Sequence, residues 1–407
     1  MSKPLEGIKV LDLTTFVAAP VCARMLSDLG AEVIKVERPQ GDAWREVGKS
    51  YNKRFNDDQN PVFDIYNTGK KLIALDLKSE NGKAVFWKLL KQSDVFVTNT
   101  RPDALKRLGF SYEDVKKECP QLIYAIGIGY GEEGPEAAVP AFDTTAFWAR
   151  TGFLRDMAVL NDSYEPLMPP SSIGDTVTGT TLCLEICAAL FRRSQTGLGD
   201  YVTSSLYHNG IFSMGTMTIM TEQPGGRVLP RTRESAGIIG TYRCADDEWV
   251  LLANGGSAAY LPRIFAMLGL SALLEEPRFA TNEERAKPEN SKALYEAFCA
   301  AFMTKTAQQW VTAAAQADVP LVRMNHFEEV NHDPQAWANG FLENVTFRSG
   351  EEMVMPNSPI RMASVGKLET VPAPTVGWDT AEVLESLGYT EAQIQAMADS
   401  GEIRLRG

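Results

Sequence analysis

Histidine is scarce in this chain: 407 residues hold three, His208, His326 and His332. None stands in an H-E-x-x-H run or a Ser–His–Asp context, and no G-x-S-x-G occurs, which disfavours zinc-protease and nucleophile-elbow chemistry. The six cysteines, Cys22, Cys119, Cys183, Cys187, Cys244 and Cys299, follow no zinc spacing. Cys183 and Cys187 lie four apart on an expected helix and read as small core residues. No metal site is expected. A G-x-G-x-x-G is also missing after the first expected strand, where Thr14-Thr15-Phe16-Val17-Ala18-Ala19-Pro20 stands instead. That argues against a standard dinucleotide site. No window reads as an uncharged membrane span, the first residues have no apolar signal region, and there is no internal repeat. With a net charge of −12, the expectation is a reducing, cytoplasmic protein without a nucleic-acid or membrane partner.

What is present is a long chain of ordinary composition, for which two domains are the default. Its charge is uneven. Residues 1–118 carry 20 Lys and Arg against 17 Asp and Glu, a balance of +3, leaving −15 for the remainder. A near-neutral to basic N-terminal third on an acidic protein suits an anionic ligand; a chance imbalance is the alternative. β-type runs at 8–13, 32–37, 72–77, 94–98 and 122–128 alternate with helical stretches such as 20–30 and 81–92. This is the pattern of an α/β fold with a mostly parallel sheet covered on both faces. Ligands of such sheets bind outside the carboxyl ends of the strands. Arg38, Arg101 and Arg107 follow strands, and Lys70 and Lys71 precede one; together they are candidates to hold phosphates. Residues 201–220 read as an apolar helix, with His208 buried in it. A Gly/Pro-rich linker and a hairpin signal around Ala245-Asp246-Asp247 then mark a change. The expected division is 1–224 for a large domain, 225–325 for a small α+β domain and 326–407 for a C-terminal segment.

The stretch that organises the chain is Pro169-Pro170-Ser171-Ser172-Ile173-Gly174-Asp175-Thr176, followed by an apolar run to Phe191. It reads as a loop delivering a carboxylate to the start of a buried helix. Asp175 has two readings. It is an N-cap that accepts a backbone N–H, or it is a nucleophile kept ionised by N–H groups and the helix dipole.

Motifs then place the chain beside a family. Gly7-Ile8-Lys9-Val10-Leu11-Asp12-Leu13-Thr14, Gly30 to Glu37, Gly41-Asp42, Lys70 to Lys78, Asn99 to Gly109, Gly129 to Pro135 and Gly174-Asp175 occur in a specific order and spacing. In these the chain resembles the class III CoA-transferases, over nearly its full length. Residues 140–152 and 333–339 make the phenyllactate and other 2-hydroxyacid CoA-transferases of amino-acid-fermenting anaerobes the nearest in kind. The resemblance implies a Rossmann-like large domain, a smaller domain on long linkers, and a homodimer of interlocked subunits. It also implies coenzyme A and acyl-CoA as substrates rather than permanently bound cofactors. The implied reaction moves CoA from an acyl-CoA to a free carboxylic acid, such as an (R)-2-hydroxy acid.

By the same resemblance Asp175 is the catalytic carboxylate, passing through an aspartyl-CoA thioester. Thr15, Phe16, Val17, Arg38, Leu72, Asn99, Thr100, Arg107 and Tyr130 are the implied CoA contacts, with Arg38 and Arg107 meeting phosphates. Phe142 belongs to the acyl pocket, and Gly255 and Gly256 to a covering loop. The chain departs from formyl-CoA transferase, which has Gln where Val17 stands and Lys where Ile128 stands; a larger, less polar acyl group suits this. A racemase of the same fold is an alternative, but its G-H-D segment reads Ala141-Phe142-Asp143 here, so one proton-transfer group is missing. A non-catalytic CoA-binding protein is the other.

Overall fold

The computed structural model describes residues 3–51, 53, 55–156, 168–170, 172–224, 238–253 and 259–406. The chain divides into two compact units. One comprises 1–151, 169–215 and 331–407; the other comprises 152–168 and 216–330.

The first unit is built on a seven-stranded sheet. Its strands are β1 (Lys9–Leu13), β2 (Glu32–Glu37), β3 (Lys71–Leu75), β4 (Val95–Thr98), β5 (Ile123–Ile128), β6 (Asp200–Ser205) and a final short strand, Ile403–Arg404. The order is Ile403–Arg404, then β3-β2-β1-β4-β5-β6. All neighbours are parallel except the Ile403–Arg404 edge, which runs antiparallel to β3. Strand order reverses between β1 and β4, so the crevice at their carboxyl ends is where a ligand of such a sheet is expected.

The parallel strands are near-continuous apolar runs because both faces are covered. Helices α1 (Ala18–Asp28) and, later in the chain, Ile173–Thr196 pack one face. The other face carries helices Glu80–Gln92, Pro102–Leu108 and Tyr112–Glu118, with the C-terminal helices Thr380–Ser386 and Glu391–Asp399. Helix α2 itself spans Pro61–Asn67, with the Asn60 side chain capping its start. The 24-residue helix Ile173–Thr196, called α3 below, buries Gly174, Thr178, Gly179, Leu182, Cys183, Ile186, Ala189 and Leu190. That spacing is one helical face. Gly179 sets its distance from α1: a Cβ there would lie 2.2 Å from the Ala18 carbonyl oxygen.

Two expectations need correction. Residues 200–205 are strand β6, not helix; Tyr201, Val202 and Thr203 suit a pleated edge, and β6 pairs with β5 from Ile123↔Asp200 to Ile128↔Ser205. His208, in the helix that follows, is exposed. The α3 helix carries Asp175, Glu185, Arg192 and Arg193, so it is no uncharged span, although by length and composition alone it is apolar enough to cross a membrane, with a window of mean hydropathy 1.3. Its apolar face packs against α1 and the sheet, which accounts for that composition.

The second unit carries a three-stranded antiparallel sheet of β7 (Gly240–Arg243), β8 (Trp249–Leu252) and β9 (Leu321–Arg323), in that order. The hairpin foreseen around Ala245-Asp246-Asp247 joins β7 to β8. Helices Leu261–Leu268, Pro288–Phe302 and Ala307–Ala317 bury Phe265, Phe298, Phe302 and Trp310 against Tyr242 and Val250.

Candidate active site at the carboxyl ends of the strands

Beneath the crevice lies a buried ionic network that shapes the turn after β1. Asp12, on β1, is fully buried and accepts from the Thr14 N–H at 2.9 Å and the Thr14 hydroxyl. Its other oxygen holds Lys70 Nζ at 2.8 Å. Lys70 also donates to the Pro20 carbonyl at 3.0 Å and to Asn67 Oδ1 at 2.9 Å. Burial lowers the Lys70 pKa to about 8, against the pull of Asp12. Lys35, on β2, donates to the Thr14 carbonyl at 2.7 Å and pairs with Asp42 at 3.1 Å. Burial works against the Lys35 charge, yet Asp42, Asp12 and Glu37 hold its pKa above the ordinary value.

Asp42 carries this order outward. Its Oδ1 accepts from the Thr15 hydroxyl, the Phe16 N–H at 3.4 Å and the Trp44 N–H at 3.0 Å. Phe16 is held at a φ of +63°, a left-handed conformation costly for a bulky residue. Across the switch point Asn99, after β4, grips the Thr15 peptide at both ends: Oδ1 accepts its N–H at 3.0 Å and Nδ2 donates to its carbonyl at 2.7 Å. Asp12, Lys35, Asp42 and Asn99 together fix Thr15 and Phe16 at the crevice.

Asp175 stands at the start of α3, but it is not the cap. Ser172 precedes the helix at a φ of +77° and makes no side-chain cap bond, and Asp175 is the third helical residue. The cap comes from Asp143, first residue of a π-helical turn at Asp143–Ala149. Asp143 is buried; its Oδ2 accepts the Ser172 N–H at 2.8 Å, and the Gly174 and Asp175 N–H groups also face its carboxylate. The expectation that helix N–H groups keep Asp175 ionised is thus corrected. Burial, with the Asp143 charge beside it, raises the Asp175 pKa to about 7.

A chain of aromatic rings leads away from this helix end, starting at Tyr66. Tyr66, on α2, hydrogen-bonds the Ser172 side chain and feels the Asp175 charge. Trp44 lies 6.2 Å from Tyr66 and 6.2 Å from Phe16, and Phe16 meets Phe142 edge to face at 5.7 Å. Phe142 is 56% exposed and Phe16 37%. The pair is open to solvent, and Phe142 directly precedes Asp143, whose carboxylate meets the start of α3.

Sequence and structure can now be compared in full. Thr15, Phe16, Asn99 and Thr100 come together at the switch point, all with some exposed surface. Tyr130 sits beyond β5 with its ring 6.0 Å from Tyr207. Arg38 and Arg107 are exposed after β2 and β4, and no described residue forms an ion pair with either. Two side chains leave the expected set. Val17 is buried at the start of α1. Leu72 is fully buried beside Phe63 and Ala373, and its peptide is taken up by Asp379: the Leu72 N–H donates to Asp379 Oδ2 at 2.7 Å, and its carbonyl accepts the Asp379 N–H at 3.0 Å. Lys70 and Lys71 are no phosphate ligands either: one is buried on Asp12, and the other pairs with Glu382 at 3.0 Å at the opposite end of the strands. Gly255 and Gly256 lie outside the described residues.

The sequence model described as CoA-transferase family III matches residues 5–380. This chain belongs to CoA-transferase family III. It is 38% identical to the (R)-2-hydroxy-4-methylpentanoate CoA-transferase of Clostridioides difficile, over 98% of this chain and 99% of that protein. It is 33% identical to the cinnamoyl-CoA:phenyllactate CoA-transferase of Clostridium sporogenes, over 98% and 97%. The crystal structure of Rv3272 from Mycobacterium tuberculosis superposes with a TM-score of 0.80 at 28% identity, covering 94% of this chain and 99% of that one. A CAIB/BAIF family protein from Brucella suis gives 0.79 at 26%, covering 95% and 100%. The chain is therefore an acyl-CoA:carboxylate CoA-transferase with CoA thioesters as its substrates.

Within this transferase, sequence reasoning missed Asp143 and Tyr66 as neighbours of Asp175. Gly41-Asp42 stood out as a motif, but nothing local told that Asp42 braces Phe16. Asp143 was noticed only as part of a degenerate racemase segment. Each of these roles depends on a contact across tens of residues, which spacing along the chain does not reveal.

Proposed function

We propose that this CoA-transferase moves CoA onto an (R)-2-hydroxy acid through an aspartyl-CoA thioester on Asp175. The observation that carries this reading is the setting of Asp175: a carboxylate in the first turn of the α3 helix, next to Asp143, which follows Phe142 of the exposed Phe16–Phe142 pair. The two relatives named for 2-hydroxy acids support the acceptor class.

The chemistry balances without a histidine. An Asp175 oxygen attacks the acyl-CoA carbonyl, and the C–S bond breaks to give an aspartyl–acyl anhydride and CoA thiolate. The thiolate attacks the aspartyl carbonyl, releasing the donor acid and leaving aspartyl-CoA. The incoming carboxylate attacks that thioester, forming a second anhydride and freeing thiolate again. Thiolate attack on the acceptor's carbonyl completes the product and restores Asp175. No proton is gained or lost, and the thioester free energy is kept from step to step. A pKa near 7 leaves about half of Asp175 ionised at neutral pH and makes the ionised form more basic than an ordinary carboxylate. Water must be kept out, since every intermediate hydrolyses readily. Arg38 and Arg107 serve the CoA phosphates, Thr15, Asn99, Thr100 and Tyr130 the rest of the cofactor chain, and Phe142 the acyl group. Phe142 carries no ionisable group, so a racemase lacks its second proton-transfer residue here.

The working unit is proposed to be a homodimer in the cytoplasm. The outer face of α3 exposes Ile173, Leu184 and Phe191 at 45%, 68% and 68%, more than a lone helix leaves to solvent without cause. The six cysteines carry no disulfide.

The test is a panel assay of purified protein with several acyl-CoA donors and free acids. Phenyllactate and 4-methyl-2-hydroxypentanoate are the expected acceptors; exchange confined to oxalate or carnitine removes the 2-hydroxy-acid assignment. Hydroxylamine added during turnover is expected to convert Asp175 to a hydroxamate that peptide mass spectrometry locates. A variant Asp175→Ala that exchanges CoA at the wild-type rate ends the covalent reading.

A further inference from the structure

The scheme above employs one carboxylate, yet the α3 helix end holds two. Asp143 is 4% exposed and touches no reacting atom in that scheme. Its Oδ2 accepts the Ser172 N–H at 2.8 Å, with the Gly174 and Asp175 N–H groups turned to the same carboxylate. The contact is tight by construction: a Cβ on Gly174 would fall 2.3 Å from Asp143 Oδ1 and 2.3 Å from Phe147 Cγ. Ser172 adds no cap of its own. A helix start carries roughly half a positive charge on its free N–H groups, and here the Asp143 carboxylate meets it, its own pKa raised by burial against the pull of those N–H groups.

We propose that Asp143 is a positioning residue for Asp175: by capping α3 from the π-helical turn, it fixes where the Asp175 carboxylate stands and takes up the helix-end charge that Asp175 would otherwise share. This rests on the assignment of Asp175 as nucleophile. Asp175 then sits in the first turn of a helix without that turn's usual benefit, next to a second anion. Among the described residues, the other ionisable groups around this helix end are Tyr66 and, beside Tyr66, Tyr51, neither a cation at neutral pH. Among the described residues, burial and Asp143 bear on the Asp175 charge, and both disfavour it. A carboxylate so placed is a stronger nucleophile once ionised.

The substitution Asp143→Asn keeps an acceptor for the Ser172 N–H and removes the charge. In the full-length enzyme the acid limb of kcat/KM is expected to move down by about one pH unit, and the plateau to fall about tenfold as Asp175 becomes less basic. Asp143→Ala removes the cap as well and is expected to lower kcat about a hundredfold, with acyl-CoA KM within about twofold of wild type if the defect is one of aim rather than binding. An unmoved acid limb with unchanged rate in Asp143→Asn overturns the proposal. A measurement on the wild-type protein stands whether or not the variants fold: the 13C titration of the Asp175 carboxyl carbon, assigned by its loss in Asp175→Asn. A midpoint near 7 with a second inflection from Asp143 supports the coupling; a single ordinary transition at about 4 refutes it. That readout needs no turnover, so an Asp175→Ala enzyme that still exchanged CoA would sink the nucleophile assignment and leave the measured coupling standing.

Discussion

Asn99 and Thr15 hold each other by two hydrogen bonds across the switch point of the sheet, the Thr15 N–H to Asn99 Oδ1 at 3.0 Å and Asn99 Nδ2 to the Thr15 carbonyl at 2.7 Å. Only a side-chain amide offers both a donor and an acceptor at that reach. Asn99→Asp keeps the acceptor and sets a carboxylate oxygen against the Thr15 carbonyl. The expected loss of stability is about 1–3 kcal/mol, read from urea unfolding, together with a several-fold rise in KM for acyl-CoA. Wild-type values for both would show that the Thr15 turn is held by Asp42 alone.

The Asp175 pKa near 7 sets two pH dependences. If the ionised form is the nucleophile, kcat/KM rises with pH through about 7 and levels above it. Stability runs the other way. The folded pKa is raised above the unfolded value of 3.8, so the folded state holds more protons between them and stability is lost as pH rises from about 4 to 7. Asp175→Asn is therefore expected to be more stable than wild type at pH 8, by on the order of 2–4 kcal/mol, and nearly equal to it at pH 4. Equal stability at both pH values would mean that Asp175 titrates as an exposed carboxylate.

The α/β layout was legible because parallel strands buried on both faces leave continuous apolar runs, as at Val10-Leu11 and Val95-Phe96-Val97. Strand β6 was not, because Tyr201 to Ser205 joins a helix without a break and only pairing with β5 makes it a strand. The site divides the same way. Asp175 announced itself as a carboxylate after Gly174 at the head of an apolar run. Its cap did not, since Asp143 lies 32 residues earlier and reaches Ser172 through tertiary packing. Lys70 misled for a related reason: in sequence it is one of two adjacent lysines, and only the fold shows it sealed against Asp12.

Arg38 and Arg107 stand exposed at strand ends without ion-pair partners among the described residues. An anion would find two guanidinium groups there that need not be freed from a neighbour first. Arg107→Ala and Arg38→Ala are each expected to raise KM for acyl-CoA about tenfold with kcat nearly unchanged, and the penalty should shrink in 0.5 M salt as wild-type binding weakens. Arg107→Lys should recover only part of the loss if the contact is bidentate. Unchanged KM in both alanine variants would move the phosphate site elsewhere.

The last prediction concerns how the site is kept in register from behind. Helices α1 and α3 approach so closely that a Cβ on Gly179 would lie 2.2 Å from the Ala18 carbonyl oxygen and 2.9 Å from Val21 Cβ. The first obstacle is backbone, so no rotamer change relieves it. Gly179→Ala must push the helices apart, at an expected cost of about 1–3 kcal/mol. Both helix starts bear on the chemistry: α1 opens directly after the Phe16 turn, and Asp175 is one helical turn before Gly179. Displacement of α3 should therefore lower kcat more than the loss of folded protein explains. Gly240→Ala, where a Cβ meets nothing within 4 Å, is the control and should leave both quantities unchanged. Measured side by side by urea unfolding and by exchange kinetics on the folded fraction, the two variants separate a packing role for Gly179 from a general intolerance of substitution. A Gly179→Ala enzyme with wild-type kcat would show that Asp175 is aimed by its cap and not by the seating of its helix.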